Sequence, residues 1–431
     1  MNSSQSKNTY IAIGILIFVI GIGIAVWFLF RGSSTPTTPT GDDTSSGFSP
    51  FGRTGTGGRA GKPNATSTTQ NVLQNGTAGT PIPVLRLLSD TPVGGYGAST
   101  TASTTIVRWA DRGRGNILEA REDSWDITTL SNTLVPRIYE SAWNKNLTSF
   151  IASILPAGSS VPNTVYAELK ANAVSTSSTS FNPINVTPYN LKGQSLPNNI
   201  VSYALSPKKD KLFLFSIQDG RGVGYISSVT GGKLTQLFDT PVTQINVSWP
   251  EDNTIAIVTK GTSSEAGFLY FVDPKTGVWK KIIGNISGLS AIVSHDAKYV
   301  FVSGTGQNNN VASYIYTVAK NKYNNALIQT LADKCTWGNF YKNIVYCAVP
   351  FQPVAGTYPD DWYQGTLSTV DKIWQVNADT GEVHQVSSAT IDQSDHFIDA
   401  YKLGTDSKDN FLIFMNKNDL SLWSLDLVRS K

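Results

Sequence analysis

Three stretches of this chain repeat one pattern about 44 residues apart, the period expected when each repeat is one propeller blade. They are Ile200–Ser216 (IVSYALSPKKDKLFLFS), Ile245–Thr259 (INVSWPEDNTIAIVT) and Leu289–Ser303 (LSAIVSHDAKYVFVS). Each is an apolar strand, a short polar turn carrying Asp, and a second apolar strand rich in Val, Ile and Phe. A strand-built unit of this size cannot bury its apolar faces alone, and radial stacking of four-stranded blades satisfies it. The expected fold class is therefore all-β, a seven-bladed β-propeller. Six or eight blades stay open, because insertions at 155–183 and 350–369 blur the register.

Strand-like runs on either side extend the count. Val93–Gly97, Thr105–Ala110, Gly115–Arg121 and Ile127–Val135 make a first blade. Arg137–Trp143, Leu147–Ile154, Thr164–Leu169 and Ile184–Tyr189 make a second. The three repeats take Gly222–Ser228, Gly267–Asp273 and Ala312–Val318 as their third strands. A sixth blade runs from Lys334 to about Ala389, and a seventh holds His396–Leu403, Phe411–Asn416 and Leu420–Leu427. Asp273–Gly277 and Asn377–Gly381 place Gly where a tight hairpin needs a positive φ. The seventh blade lacks a strand, and Ile82–Ser89 (IPVLRLLS) is a spare one at the opposite end. Pairing the two termini would close the ring and hide both sheet edges.

The N-terminal part has a different texture. Residues 1–9 form a short tail, expected to be cytoplasmic. Tyr10–Phe30 (YIAIGILIFVIGIGIAVWFLF) carries no charge and no Pro, and about 20 such residues span a bilayer core as a helix. It runs into Phe30-Arg31-Gly32 without a small-residue cleavage site, which reads as an uncleaved signal anchor. Residues 31–80 are dominated by Ser, Thr, Gly and Pro and are expected to be a disordered tether with a mean reach of roughly 35–42 Å. Residues 81–431 are the propeller domain. The expected location is the cell membrane, single-pass, with the propeller extracytoplasmic. Basic residues flank the anchor on both sides, so the orientation rests on the low-charge surface and the cysteines.

The pieces SYALSPKKDKLFLFS, NVSWPEDNTIAIVT and AIVSHDAKYVFVS resemble the WD40-like PD40 repeats of TolB-type propellers. That pattern is an apolar strand, then Ser-Pro-Asp-Gly-Lys, then a second apolar strand. Ser206-Pro207 keeps its start, while Pro250–Asn253 and His295–Lys298 are degenerate. With its anchor, tether, PVGGYG…TIVRW and PRIYESAW segments, the chain also resembles membrane-anchored propeller proteins from candidate-phyla bacteria. The resemblance implies the fold. It leaves the role open, because such propellers serve as scaffolds, binding proteins and non-catalytic domains of peptidases.

Chemistry-bearing motifs are sparse. A net charge of +3 is too small for a nucleic-acid binder, and three His with two Cys argue against a metal centre, so neither a metal nor another cofactor is expected. No G-x-S-x-G elbow occurs, and Gly55–Lys62 fails the phosphate-loop spacing. Asp42-Asp43, Glu122-Asp123 and Asp360-Asp361 read as solvated acids, and His295 as structural. Asp395-His396 is placed where it could face the channel. Arg108, Arg112, Arg114, Arg121 and Arg137 read as a solvated basic face. Cys335 and Cys347 flank a hairpin, and pairing Gly338 with Ile344 sets them opposite one another. They form either a disulfide in an oxidising compartment or two buried thiols on different faces. In the blade-six insertion, Tyr358, Asp360, Asp361, Trp362 and Tyr363 are candidate partner-binding residues, unless the aromatics fold back to cap the ring. The expected function is a binding or assembly module for an envelope protein or surface polymer, anchored in the lipid bilayer through residues 10–30, with no nucleic-acid partner and not an enzyme. The alternatives are a channel-centred lyase or glycan hydrolase, and a structural stalked surface protein.

Overall fold

The computed structural model describes residues 81–133, 135, 137–159, 161–172, 188–306, 310–354, 356–386 and 397–430. The expected tail, span and tether lie outside them. Among the described residues no helix is long and apolar enough to cross a membrane.

The described strands form seven four-stranded antiparallel sheets. Blade one is β2 (Val93–Thr100), β3 (Thr105–Asp111), β4 (Ile117–Arg121) and β5 (Ile127–Ser131). Blade two is β6 (Ile138–Trp143), β7 (Ser149–Ile154), β8 (Asn163–Ala171) and β9 (Tyr189–Ser195). Blades three, four and five begin with β10 (Ile200–Leu205), β14 (Ile245–Glu251) and β18 (Ser290–Val293). Blade six is β22 (Cys335–Trp337), β23 (Ile344–Pro350), β24 (Asp371–Asn377) and β25 (Val383–Gln385). Blade seven is β26 (Ala400–Thr405), β27 (Phe411–Asn416) and β28 (Leu422–Asp426), completed by β1 (Leu85–Ser89) from the other end of the chain. Leu85 pairs with Leu425 and Leu87 with Trp423.

The second strand of each regular blade is apolar without alternation because neighbouring blades cover both of its faces. In β11 (Lys211–Gln218), five consecutive residues, Leu212–Ser216, are buried. One apolar cluster joins Leu88, Ile413 and Leu422 of blade seven to Val107 and Trp109 of blade one. Another joins Tyr346 and Ile373 of blade six to Phe414 and Trp423 of blade seven.

The repeat has a specific backbone meaning. In blades two, three, five and seven, the residue just after the first strand is Asn144, Ser206, Ser294 or Asp406. Its N–H donates to the carbonyl five residues on, at 2.9–3.2 Å. Its side-chain oxygen accepts the N–H of that same residue, at 3.0–3.3 Å. Three residues on, Leu147, Lys209, Ala297 and Asp409 all sit at positive φ, between 54° and 57°. Glycine adopts this conformation freely, and a residue with a side chain pays roughly 1–2 kcal/mol per site for it. Blade four departs, closing Glu251 against Thr254 in a two-residue turn.

The fourth strand of blade two, expected at Ile184–Tyr189, is instead Tyr189–Ser195. Residues 184–187 lie outside the described residues. This outer strand is polar, and only Leu191 of its seven residues is buried, so no apolar pattern marks it.

Closure also buries Glu122, which sequence reading took for a solvated acid. Arg86 of β1 and Glu122 of blade one are both 2% exposed and 3.5 Å apart, and Arg86 also donates to the Arg121 carbonyl at 2.8 Å. Burial raises the Glu122 carboxyl above its ordinary value despite the pull of Arg86. A raised folded-state value means its contribution to stability is complete below the unfolded value, near 4.3, and drains away as pH rises through the raised one. Thermal denaturation should therefore show wild type gaining on Glu122→Gln as pH falls from neutral towards about 4. Two parallel stability–pH curves would refute this.

Candidate functional site

The inner strands of successive blades lie side by side around a central channel. Residues of β6, β10, β14, β18 and β26 enclose a cavity of about 560 Å³ there, a volume within the ordinary range for ligand sites. Tyr139, Tyr203, Tyr401 and Tyr363 supply aromatic surface, and Ser202, Asn246, Ser248 and Ser290 supply hydroxyl and amide groups. Its charges balance: Glu140 and Asp333 against Lys260 and Lys402. Glu140 and Lys402 pair across blades two and seven at 3.5 Å, with both side chains still partly open to the channel. Among the described residues no group of three or more His, Cys, Asp or Glu is placed to hold a metal.

One side of this cavity is the blade-six insertion, which acts as a strap. It contains a single helical turn, α1 (Asp360–Gln364), that ends at Gly365 with φ 78°. Asp360 accepts the Ser263 N–H of blade four at 2.9 Å, and the Tyr358 carbonyl accepts from Thr305 of blade five at 3.4 Å. Asp361 accepts the Thr357 N–H at 2.7 Å. Asp360 and Asp361 are thus half-buried backbone anchors rather than free solvated acids. Tyr358 and Trp362 are buried, 1% and 4% exposed, so their side chains present no surface to a partner. Tyr363 alone of these aromatics is exposed, and its hydroxyl donates to Asp333 at 2.6 Å. On the other flank of the strap, Tyr358 lines a second cavity of about 420 Å³ with Leu327, Phe351 and Trp374.

Beneath the strap lies a buried ionic cluster that sequence reading missed. Lys334, just before β22, points its ammonium at Asp371 (2.7 Å) and Asp399, with no exposure of any of the three side chains. Trp362 donates its ring N–H to both Asp399 oxygens at 3.0 and 3.1 Å, and its ring lies 5.2 Å from Lys334 Nζ. Burial pushes the Asp371 carboxyl up. For Asp399 burial acts the same way, but the Lys334 charge and the donated hydrogen bonds outweigh it and hold the carboxyl low. Asp371 and Asp399 sit 28 residues apart in ordinary-looking sequence, and only the docking of blade six on blade seven brings them together.

The structure joins Cys335 to Cys347 by a disulfide across β22 and β23, with Cα atoms 4.1 Å apart and the two residues directly opposed. His295 lies in the blade-five turn, whereas Asp395 and His396 fall outside the described residues. Of the basic residues of blade one, Arg108 pairs with Glu119 at 2.7 Å and reaches the Leu147 carbonyl of blade two, and Arg121 pairs with Asp123.

Several solved structures are similar. TolB from Acinetobacter baumannii is similar at 11% identity and TM-score 0.41, covering 67% of this chain. The chain spans 61% of that protein's length. An oligogalacturonate lyase from Vibrio parahaemolyticus is similar at 11% identity and TM-score 0.50, over 80% of this chain and 92% of that one. The propeller domain of the trilobed protease from Pyrococcus furiosus is similar at 11% identity and TM-score 0.46, over 79% and 96%. No family model matches the sequence, and no curated protein matches it. The seven sheets of the described residues define the class, a seven-bladed β-propeller. The expectation that the chain is not an enzyme is corrected by the likeness to the lyase. An enzyme has a similar fold, so missing hydrolase motifs do not separate catalytic propellers from others.

Trp362 carries the strap's packing. Trp362→Ala should lower unfolding free energy by about 3–5 kcal/mol, measured by urea denaturation; a loss below about 1 kcal/mol would show that the strap is held elsewhere.

Proposed function

We propose that this propeller is a membrane-anchored, extracytoplasmic binding module that takes an uncharged surface glycan at the mouth of its channel. The supporting observation is the cavity's lining: four tyrosine rings, serine and asparagine groups, and two acids balanced by two bases. Aromatic faces suit sugar rings, and polar side chains at fixed positions set orientation. A balanced lining gives no electrostatic reason to select an acidic or basic ligand. The strap is tied to blades four, five and seven, so it needs little ordering on binding. The Ser206 and Ser294 turns are read as descendants of the PD40 repeat.

The location draws on the apolar run Tyr10–Phe30 and on the Cys335–Cys347 disulfide, a bond that persists in oxidising compartments. Protease added to intact spheroplasts should digest the propeller and leave a membrane-held stub. Full protection would reverse the topology.

Titration of the full-length protein against uncharged and acidic oligosaccharides tests the ligand class. Uncharged chains should bind, and Tyr363→Ala should weaken them at least tenfold, about 1.4 kcal/mol. Preference for acidic chains, unchanged binding by the variant, or binding only to an envelope protein would sink this reading.

A further inference from the structure

The cluster under the strap goes beyond the binding role. Two carboxylates and one ammonium share a site with no exposure of any member, and ions held there lose most of their hydration. Condensation of amine and carboxyl to an amide removes two of those charges and releases one water. The groups are already arranged for it. Lys334 Nζ is in contact with Asp399 Oδ1, 2.7 Å from Asp371 Oδ2 and 2.8 Å from Thr369 Oγ1.

We propose that Lys334 and Asp399 become joined by an intramolecular isopeptide bond, with Asp371 as the proton carrier. The two acids are held differently, which assigns their roles. Asp399 receives the Trp362 ring N–H on both oxygens, and on Oδ2 also the Thr369 N–H and the Ser368 hydroxyl, both at 3.2 Å. Those donors sit where negative charge grows as an amine adds to the carboxyl carbon. Asp371 receives the Ala400 N–H at 2.7 Å beside the ammonium, and the single Thr369 hydroxyl lies between the two acids, 2.9 Å from Asp371 Oδ1 and 3.0 Å from Asp399 Oδ1. Burial drives Asp371 towards its protonated form, which a proton carrier needs.

The step balances without a further reagent. Asp371, in its protonated form, gives its proton to an Asp399 oxygen and takes one from the Lys334 ammonium. The free amine then adds to Asp399 Cγ, forming the C–N bond and leaving one Asp399 oxygen as a hydroxyl and the other as an oxyanion. Asp371 gives its proton to that hydroxyl and takes the second proton from the nitrogen, the C–O bond breaks, and water leaves. Ammonium plus carboxylate become amide plus water, nothing is oxidised or reduced, and Asp371 ends as it began. Fixed positions make this an intramolecular reaction of high effective concentration. The bond would tie the residue before β22 to the residue before β26, fastening the inner edges of blades six and seven directly beneath the strap.

Peptide mapping of the purified full-length protein tests this. After denaturation, disulfide reduction and chymotrypsin digestion, tandem mass spectrometry should find one branched peptide carrying Lys334 and Asp399. Its mass should be the sum of the two peptides less one water. Asp371→Ala, which keeps both partners, should return the two peptides separately. An unmodified Lys334 peptide from the wild-type protein overturns the bond, whether or not the variant folds. A branch from Lys334 to Asp371 overturns the assignment of Asp399, and a branch that persists in Asp371→Ala overturns the proton role of Asp371.

Discussion

The backbone ladder between β1 and β28 is the constraint on which the ring depends. Each blade buries its apolar faces only against two neighbours, so a circle of seven needs the last blade to meet the first. The chain achieves this by giving blade seven a strand from its own beginning, with Leu88 packed against blade one and Arg86 buried beside Glu122. Without that ladder, blade seven would expose the edge of β28 and blade one would lose the apolar surface that covers Val107 and Trp109. The buried Arg86–Glu122 pair is a weak source of net stability, but one partner without the other is costly, so the pair opposes other registers.

The ring then frees its ends for variation. Four blades keep the same turn after the first strand, stabilised by a side-chain oxygen and a left-handed residue. The opposite ends of the strands carry what is particular to this chain: the aromatic, charge-balanced channel mouth and the strap that crosses from blade six to blade four. The strap, the disulfide and the Lys334 cluster all converge on β22, a strand of only three residues. So short a strand forms few ladder hydrogen bonds, and it is held instead by a bond to β23 and by the buried charges just before it.

Much of the frame was legible in the residues. The continuous apolar runs at Leu212–Phe215 and Val300–Val302 could be seen because blades bury second strands on both sides. The opposition of Cys335 and Cys347 followed from counting outward from a hairpin. The outer strand of blade two was misplaced because its polar residues carry no burial pattern. Glu122 was misread because a charged side chain beside Asp123 gives no local hint that an arginine 36 residues away will bury it.

The sequence by itself determined the architecture, since a strand–turn–strand unit recurring at blade length has only radial stacking as a way to hide its apolar faces. It also determined the closure, since the strand missing from one end was present at the other. Tertiary structure alone decided the inward fate of Tyr358 and Trp362, the makeup of the channel mouth and the meeting of Lys334 with Asp371 and Asp399. Those depend on contacts between blades, and the physical reason they are invisible beforehand is that no period or spacing along a chain records which side chains a neighbouring sheet will cover.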